Sequence, residues 1–85
     1  MIYARYKFKY RTQSDDETFE EFYTDLKVLF NDCSYDHNIE DEMLRDHIVF
    51  YVKSKKVREK ILEEGSELTL QKCTYIVRTN ELSQN

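Results

Sequence analysis

Apolar positions along most of the chain recur at intervals of three or four residues, which is the spacing of one face of an α-helix. The clearest stripe predicts a helix over residues 15–32 and consists of Phe19, Phe22, Leu26, Leu29, Phe30 and Cys33. Three further stripes predict helices over residues 40–52, 54–64 and 69–81. The chain holds one glycine and no proline, whereas β-sandwiches and barrels need many turns built from both. The pattern therefore predicts an all-α protein with four helices.

The N-terminal segment follows a different pattern. From Tyr6 to Arg11, aromatic and basic residues alternate, and a period of two is typical of an extended chain. We therefore predict an extended N-terminal arm or linker over residues 1–13, with its aromatic side packed on a helical domain that spans residues 14–82. Residues 83–85 are expected to fray, because chain ends without packing partners rarely stay ordered.

Short polar residues mark where the predicted helices begin. Ser14 and Glu17 have the spacing of a capping box, in which each side chain satisfies the backbone amide of the other residue. Ser54 and Thr69 are predicted N-caps of the third and fourth helices. Gly65 is predicted to end the third helix in a left-handed conformation. These signals divide the domain into helices joined by short polar links.

The charge balance limits the range of partners. Thirteen basic and seventeen acidic residues leave a net charge of −4, which argues against a dedicated nucleic-acid-binding protein. The first eleven residues hold four basic residues and no acidic one, so the remainder has nine basic and seventeen acidic residues, a net charge of −8. Nucleic acid is therefore expected only as an indirect or weak partner, in contact with Lys7, Lys9 and Arg11 while neighbouring aromatic rings stack on bases. The basic arm can equally pair with the acidic body of the domain.

No set of residues has the spacing of a catalytic or metal site. The two cysteines and two histidines, Cys33, Cys73, His37 and His47, lack the paired arrangement of structural zinc ligands. We therefore predict no enzymatic activity, no metal or cofactor, and no small-molecule substrate. No apolar run approaches the roughly 20 residues of a membrane span, and so few cysteines suit a reducing compartment. An intracellular, cytoplasmic protein with no membrane partner is expected.

The second predicted helix has more apolar residues than one core can cover. Leu44, Ile48 and Val52 form its core stripe, while Met43, His47, Phe50 and Tyr51 lie off that line. Two interpretations stay open at this point. The additional residues are either further core, covered by the arm or by the last helix, or a surface for self-association.

A longer set of residues resembles a known family. The spacing of the major homology region of retroviral and retrotransposon capsid proteins is matched by Gln13, Glu17, Phe19, Phe22 and Leu26. Downstream segments resemble, in the same order, those of gypsy-type Gag proteins: Cys33–Tyr35, Leu44–Val49, Val57–Leu62 and Leu68–Cys73. The chain is thus similar to the C-terminal capsid domain of Gag over nearly its whole length. It departs from that pattern at Ser14, where the family has glycine, and in lacking the arginine often found within the first helix of the region.

The resemblance implies a compact four-helix domain with no active site and a role in building a capsid shell or virus-like particle. The expected partner is the chain itself, as a homodimer and within a higher-order lattice. In retroviral relatives the second helix supplies a twofold contact, which maps onto Met43, His47, Phe50 and Tyr51. Gln13 and Glu17 are expected to hold backbone groups or each other. The alternative is a domesticated Gag domain that binds other proteins as an adaptor, or a swapped dimer like that of SCAN domains.

Overall fold

The computed structural model describes residues 2–83, which form five α-helices and no strand. The helices are α1 (Ile2–Lys9), α2 (Phe19–Asp32), α3 (Glu40–Tyr51), α4 (Lys55–Leu62) and α5 (Leu70–Ser83). Short 3-10 turns precede α3 at His37–Ile39 and α5 at Gly65–Glu67. The all-α prediction is therefore confirmed. Of the tail that was predicted to fray, Ser83 is instead the last residue of α5. Residues 84–85 lie outside the described part of the chain.

The N-terminal segment is a helix, so the prediction of an extended arm is wrong. In α1 the side chains of Ala4 and Phe8 turn toward the body of the domain, with Phe8 fully buried. The tyrosines at positions 3, 6 and 10 stay on the outside, and their spacing of three and four residues is helical. The alternation from Tyr6 to Arg11 concealed this, because only one of its aromatic residues faces inward. Lysines at the C-terminal end of α1 also suit the helix dipole.

Helix α2 begins four residues later than predicted. Thr18 and Glu21 form the capping box that starts it, with the Thr18 hydroxyl accepting the Glu21 amide at 3.1 Å and the Glu21 carboxylate accepting the Thr18 amide at 3.1 Å. Ser14 and Glu17 make only half of the predicted box. The Glu17 carboxylate accepts the Ser14 amide at 3.2 Å, whereas the Glu17 amide donates to the Ser14 carbonyl and closes a turn. Two box signatures follow each other here, and the one next to the apolar stripe starts the helix.

Helices α4 and α5 begin at their predicted caps, whereas α3 begins after Ile39 with no side-chain cap. The Ser54 hydroxyl accepts the Val57 amide at 3.2 Å at the start of α4, and the Thr69 hydroxyl accepts the Lys72 amide at 3.1 Å at the start of α5. Gly65 follows α4 with a φ of 60°, in the left-handed region that glycine enters at low cost. These predicted caps are therefore confirmed.

One core joins all five helices. Its largest fully buried side chains come from α2, α3 and α4, and are Phe19, Phe22, Phe30, Leu26, Leu44, Ile48 and Ile61. Helix α1 packs on α2, and α5 packs on α3 and α4. The end of α3 is fixed from outside its own helix, because Arg58 donates to the carbonyl oxygens of Val49 at 2.8 Å and Val52 at 2.5 Å. Those carbonyls would otherwise lack a partner at the helix terminus.

Candidate interaction surfaces

Gln13, the first residue of the predicted homology region, is a buried connector between elements. Its side-chain amide donates to the Glu17 carbonyl at 3.0 Å, and its side-chain oxygen accepts the Lys53 amide at 3.1 Å. Its own backbone amide donates to the Tyr51 carbonyl at 3.2 Å. The segment between α1 and α2 is thereby bonded to the C-terminal end of α3. Gln13 thus binds backbone groups, in the manner predicted for it.

Glu17 is held by an arginine that comes from outside the homology region. The Arg11 guanidinium binds the Glu17 carboxylate through two nitrogens, donates to Asp25 at 2.7 Å, and lies 5.3 Å from the centre of the Phe22 ring. This arginine lowers the pKa of Glu17. The sequence pattern offered no arginine within the helix of the region. In the structure Arg11, from just before Gln13, takes that place, and only tertiary packing brings it to Glu17.

The apolar members of the homology region are core residues. Phe19, Phe22 and Leu26 are all fully buried along the inner face of α2. Glu81, from α5, accepts the Phe19 amide at 3.0 Å and so closes the start of α2 from the far end of the chain. The region therefore organises the fold and offers little free surface to a ligand.

The four residues of the predicted dimer interface have unequal exposure. Phe50 is 64% exposed, while Met43 and Tyr51 are partly buried. His47 is only 6% exposed, because its ring lies against Phe8 at 4.8 Å and Tyr51 at 4.7 Å between ring centres. The structure thus makes His47 part of the core, contrary to its assignment to an open interface. Helix α1 covers it, so for His47 the interpretation as further core, covered by the N-terminal segment, is the one that fits.

Phe50 borders an open groove between α1 and α3, which we call the α3 groove. Its volume is about 360 Å³, and its walls are Phe8, Lys9, Tyr35, Met43, Asp46, His47, Phe50 and Tyr51. All four predicted interface residues therefore line one concavity, His47 from its buried side. The surface of the groove is mainly apolar, with Lys9 and Asp46 as its charged members. It has the character of a surface that accepts an apolar side chain from a partner.

The three predicted nucleic-acid contacts do not form one basic patch. Lys7 lies on the outer side of α1, 4.8 Å from the Tyr3 ring centre, and Lys9 is exposed beside the α3 groove. Arg11 points inward and is neutralised by Glu17 and Asp25. Arg5 is likewise turned to the body, where it donates to the Cys33 carbonyl at 3.1 Å and lies over the Tyr35 ring. Two of the four cations of this segment are therefore committed to the fold.

A further apolar surface lies on α4 and α5 and was not singled out by the sequence pattern. Leu62 and Tyr75 are exposed. A depression of about 710 Å³ is lined by Tyr75, Ile76, Glu64 and Lys72 among others. Leu62 follows the buried Ile61 directly, and the rotation of about 100° between successive helical residues turns its side chain to the surface of α4.

The two cysteines are buried thiols at separate places in the core. Burial raises the pKa of Cys73 to about 11 and also raises the pKa of Cys33. Both thiols therefore stay protonated at neutral pH and are poor nucleophiles. Within residues 2–83, no group of three or more histidine, cysteine or carboxylate side chains is arranged to hold a metal ion.

Comparison with protein-family models, with curated proteins and with solved structures gave no match for this chain. None of the helices described here is both long and apolar enough to cross a membrane. The function of the chain must therefore be argued from the surfaces described above.

Proposed function

We propose that this chain is a self-association domain of a Gag-type capsid protein, and that two copies bind through the α3 groove. The observation that carries the proposal is Phe50, a large apolar side chain that is 64% exposed at the edge of an apolar concavity on its own helix. A ring and a groove on one surface suit a twofold contact, in which each copy inserts its Phe50 beside the groove of the other. The resemblance to capsid domains led independently to this helix.

The buried cluster around Gln13 supports the same proposal. Gln13, Glu17 and Arg11 join the α1–α2 segment to the end of α3, and α1 and α3 are the two walls of the groove. A homology region that binds no ligand itself can thus still determine the shape of an assembly surface.

The contact is expected to be weak in isolation. Burying an aromatic side chain that was exposed gains about 1.5–3 kcal/mol, and a twofold contact gains it twice. Association costs several kcal/mol in lost freedom of motion. We therefore expect a dissociation constant in the micromolar range or weaker. Weak contacts suit a capsid shell, because many of them act together.

Sedimentation over a range of concentrations tests the proposal. The wild-type chain should form a dimer as its concentration rises, and Phe50→Asp should lose that dimer and associate more weakly than the wild type, with an unchanged circular dichroism spectrum. Val28→Asp is the matched control, because Val28 is an exposed apolar residue on α2 that does not line the groove. A wild-type chain that stays monomeric at millimolar concentration would overturn the proposal. A groove that binds only heterologous helical peptides would favour an adaptor domain instead.

A further inference from the structure

The outer side of α1 carries a row of exposed tyrosines that the fold does not use. Tyr3, Tyr6 and Tyr10 are 68%, 60% and 61% exposed. The rings of Tyr6 and Tyr10 lie 5.0 Å apart, and the Lys7 ammonium lies over the Tyr3 ring. We call this surface, together with Lys9, the α1 aromatic face. Three neighbouring aromatic side chains in water are more than a monomer needs, and such clusters mark interaction sites.

The opposite side of α1 holds this face rigidly in place. Phe8 packs edge-on against Phe30 with 6.0 Å between ring centres, and Arg5 donates to the Cys33 carbonyl at the end of α2. The tyrosines are therefore presented by an anchored helix rather than by a flexible segment. Pre-organisation of this kind reduces the entropy lost on binding.

The charge of the face indicates an acidic partner. Lys7 and Lys9 make no ion pair among the described residues, and residues 1–11 contain no acid. Two free lysines neutralise few phosphates, and the affinity of nucleic-acid binders depends on the number they neutralise. Tyrosine, by contrast, is enriched at the centres of protein interfaces, where ring and hydroxyl both find partners. An acidic protein surface therefore fits the face better than a nucleic acid.

This chain itself carries a surface of that kind. A depression of about 420 Å³ lies where α3 and α5 begin, and we call it the acidic depression. Asp41 and Glu42 stand on one side of it, and Leu68 and Leu70 supply apolar surface. Its one basic residue, Arg45, is bound to Asp46 at 2.9 Å and to the Leu68 carbonyl at 3.2 Å. The depression thus combines apolar area with the Asp41 carboxylate, which makes no ion pair among the described residues, and the Glu42 carboxylate, which lies 3.9 Å from Arg45.

We infer that the α1 aromatic face of one copy docks into the acidic depression of a second copy. The tyrosine rings cover the leucines, while Lys7 and Lys9 approach Asp41 and Glu42. The two surfaces differ, so each copy offers one of each, and the contact continues from copy to copy in a chain or ring. It does not use Phe50, which lies nine residues further along α3, about 13 Å from its acidic end. The inference therefore does not rest on the twofold contact proposed above.

The test uses the full chain with Phe50→Asp throughout, so that any twofold contact is absent. One variant adds Lys7→Glu and Lys9→Glu, and the other adds Asp41→Lys and Glu42→Lys. The Phe50→Asp parent should form species of growing mass as concentration rises. Each charge variant alone should associate at least about tenfold more weakly than this parent. An equimolar mixture should regain association and again form species of growing mass in which the two variants alternate, because both contacts between unlike variants join opposite charges.

Three results would overturn the inference. The Phe50→Asp parent could remain monomeric at millimolar concentration, the charge variants could associate as well as that parent, or their mixture could gain nothing. A fluorescent single-stranded oligonucleotide is the remaining probe. Suppose that the oligonucleotide binds the wild-type chain and that this binding is lost with Lys7→Glu and Lys9→Glu but retained with Asp41→Lys and Glu42→Lys. The α1 aromatic face then binds nucleic acid instead of a second copy. Circular dichroism of every variant guards against loss of folding.

Discussion

The imidazole of His47 lies 2.7 Å from the carbonyl oxygen of Arg11, measured from Nε2. A carbonyl can only accept, so Nε2 is the donor, and this bond joins the middle of α3 to the segment that follows α1. The bond is enclosed by the aromatic rings of Phe8, Phe22 and Tyr51. Burial in this setting lowers the pKa of His47 below its ordinary value of 6.5.

The free energy of unfolding should therefore decrease as the pH falls below about 6.5. In the unfolded chain His47 takes up a proton near that value, whereas in the folded chain it resists protonation until the pH is lower. The unfolded state binds more protons in this window, so acid favours it. Urea unfolding at several pH values measures the slope. His47→Gln should remove it, and His37→Gln, at an exposed histidine, should retain it; equal slopes in both variants would contradict this account.

Removing the Gln13 side chain should destabilise the domain. Gln13→Ala leaves the Lys53 amide without its partner, whereas the Glu17 carbonyl loses one of two donors and keeps the Lys53 ammonium at 2.9 Å. A buried group left unpaired costs about 1–3 kcal/mol. Equilibrium denaturation measures the loss. Thr12→Ala, at the exposed neighbouring position, is the control and should change stability little. A Gln13→Ala protein as stable as wild type would show that water replaces the amide.

Glu17→Ala should lower stability as well, with self-association reduced as a consequence. The Arg11 guanidinium would then keep only Asp25 as its carboxylate partner. Because Arg11 lowers the pKa of Glu17 below 4.5, the wild-type protein should also lose stability as the pH falls below that value, and the variant should lose less there. Thermal melting at neutral and acid pH tests both points. An unchanged melting temperature with lost association would place Glu17 directly in the contact.

Gly65→Ala should destabilise the protein by about 1 kcal/mol, because a side chain at a φ of 60° meets its own backbone. No other atom within 4 Å would obstruct the added Cβ, so the change reports backbone conformation alone. Ser34 has a φ of 57° after the end of α2, and Ser34→Gly should shift stability in the opposite direction. Denaturation midpoints of the two variants show whether each substitution raises or lowers stability. Ser66→Ala, next to Gly65, serves as the neutral comparison.

Neither cysteine should react with a thiol reagent while the domain is folded. Cys73, with a pKa of about 11, and Cys33 are both fully buried, and the thiolate is the reactive species. Labelling should therefore proceed only as fast as the chain unfolds, and denaturant should release two thiols. Cys33→Ser and Cys73→Ser assign the two reactions separately. Rapid labelling of either native thiol would show that its part of the core opens locally.

The sequence predicted most of the helical domain because its signals are local. The stripe from Phe19 to Phe30 and the caps at Ser54 and Thr69 depend on residues within one or two turns. The exact start of α2 was missed, because two capping-box sequences follow each other and only the second, formed by Thr18 and Glu21 next to the apolar stripe, starts the helix. The helical state of α1 was missed because its single buried anchor, Phe8, is stabilised by contacts with α2 and α3 that no local pattern reveals.

The candidate site was predicted in part for the same reason. The sequence singled out residues of α3 that line one groove, yet it could not tell that α1 would bury His47 and leave Phe50 outside. It also could not show that Arg11 is a structural partner of Glu17, since six positions separate them and an irregular segment lies between. The pairing of an aromatic face with an acidic depression needed the three-dimensional arrangement of α1, α3 and α5.

Gln13 has a mechanical consequence for the groove that it does not touch. Two of its three hydrogen bonds join the segment after α1 to Tyr51, the last residue of α3, and to Lys53 just beyond it, so the two walls of the groove are held together at one end. A displacement of α1, such as pulling on the chain before it, would be carried by this fastening to the C-terminal turn of α3 next to Phe50. A force applied at the N-terminus would thus change the width of the groove instead of being taken up by a flexible loop.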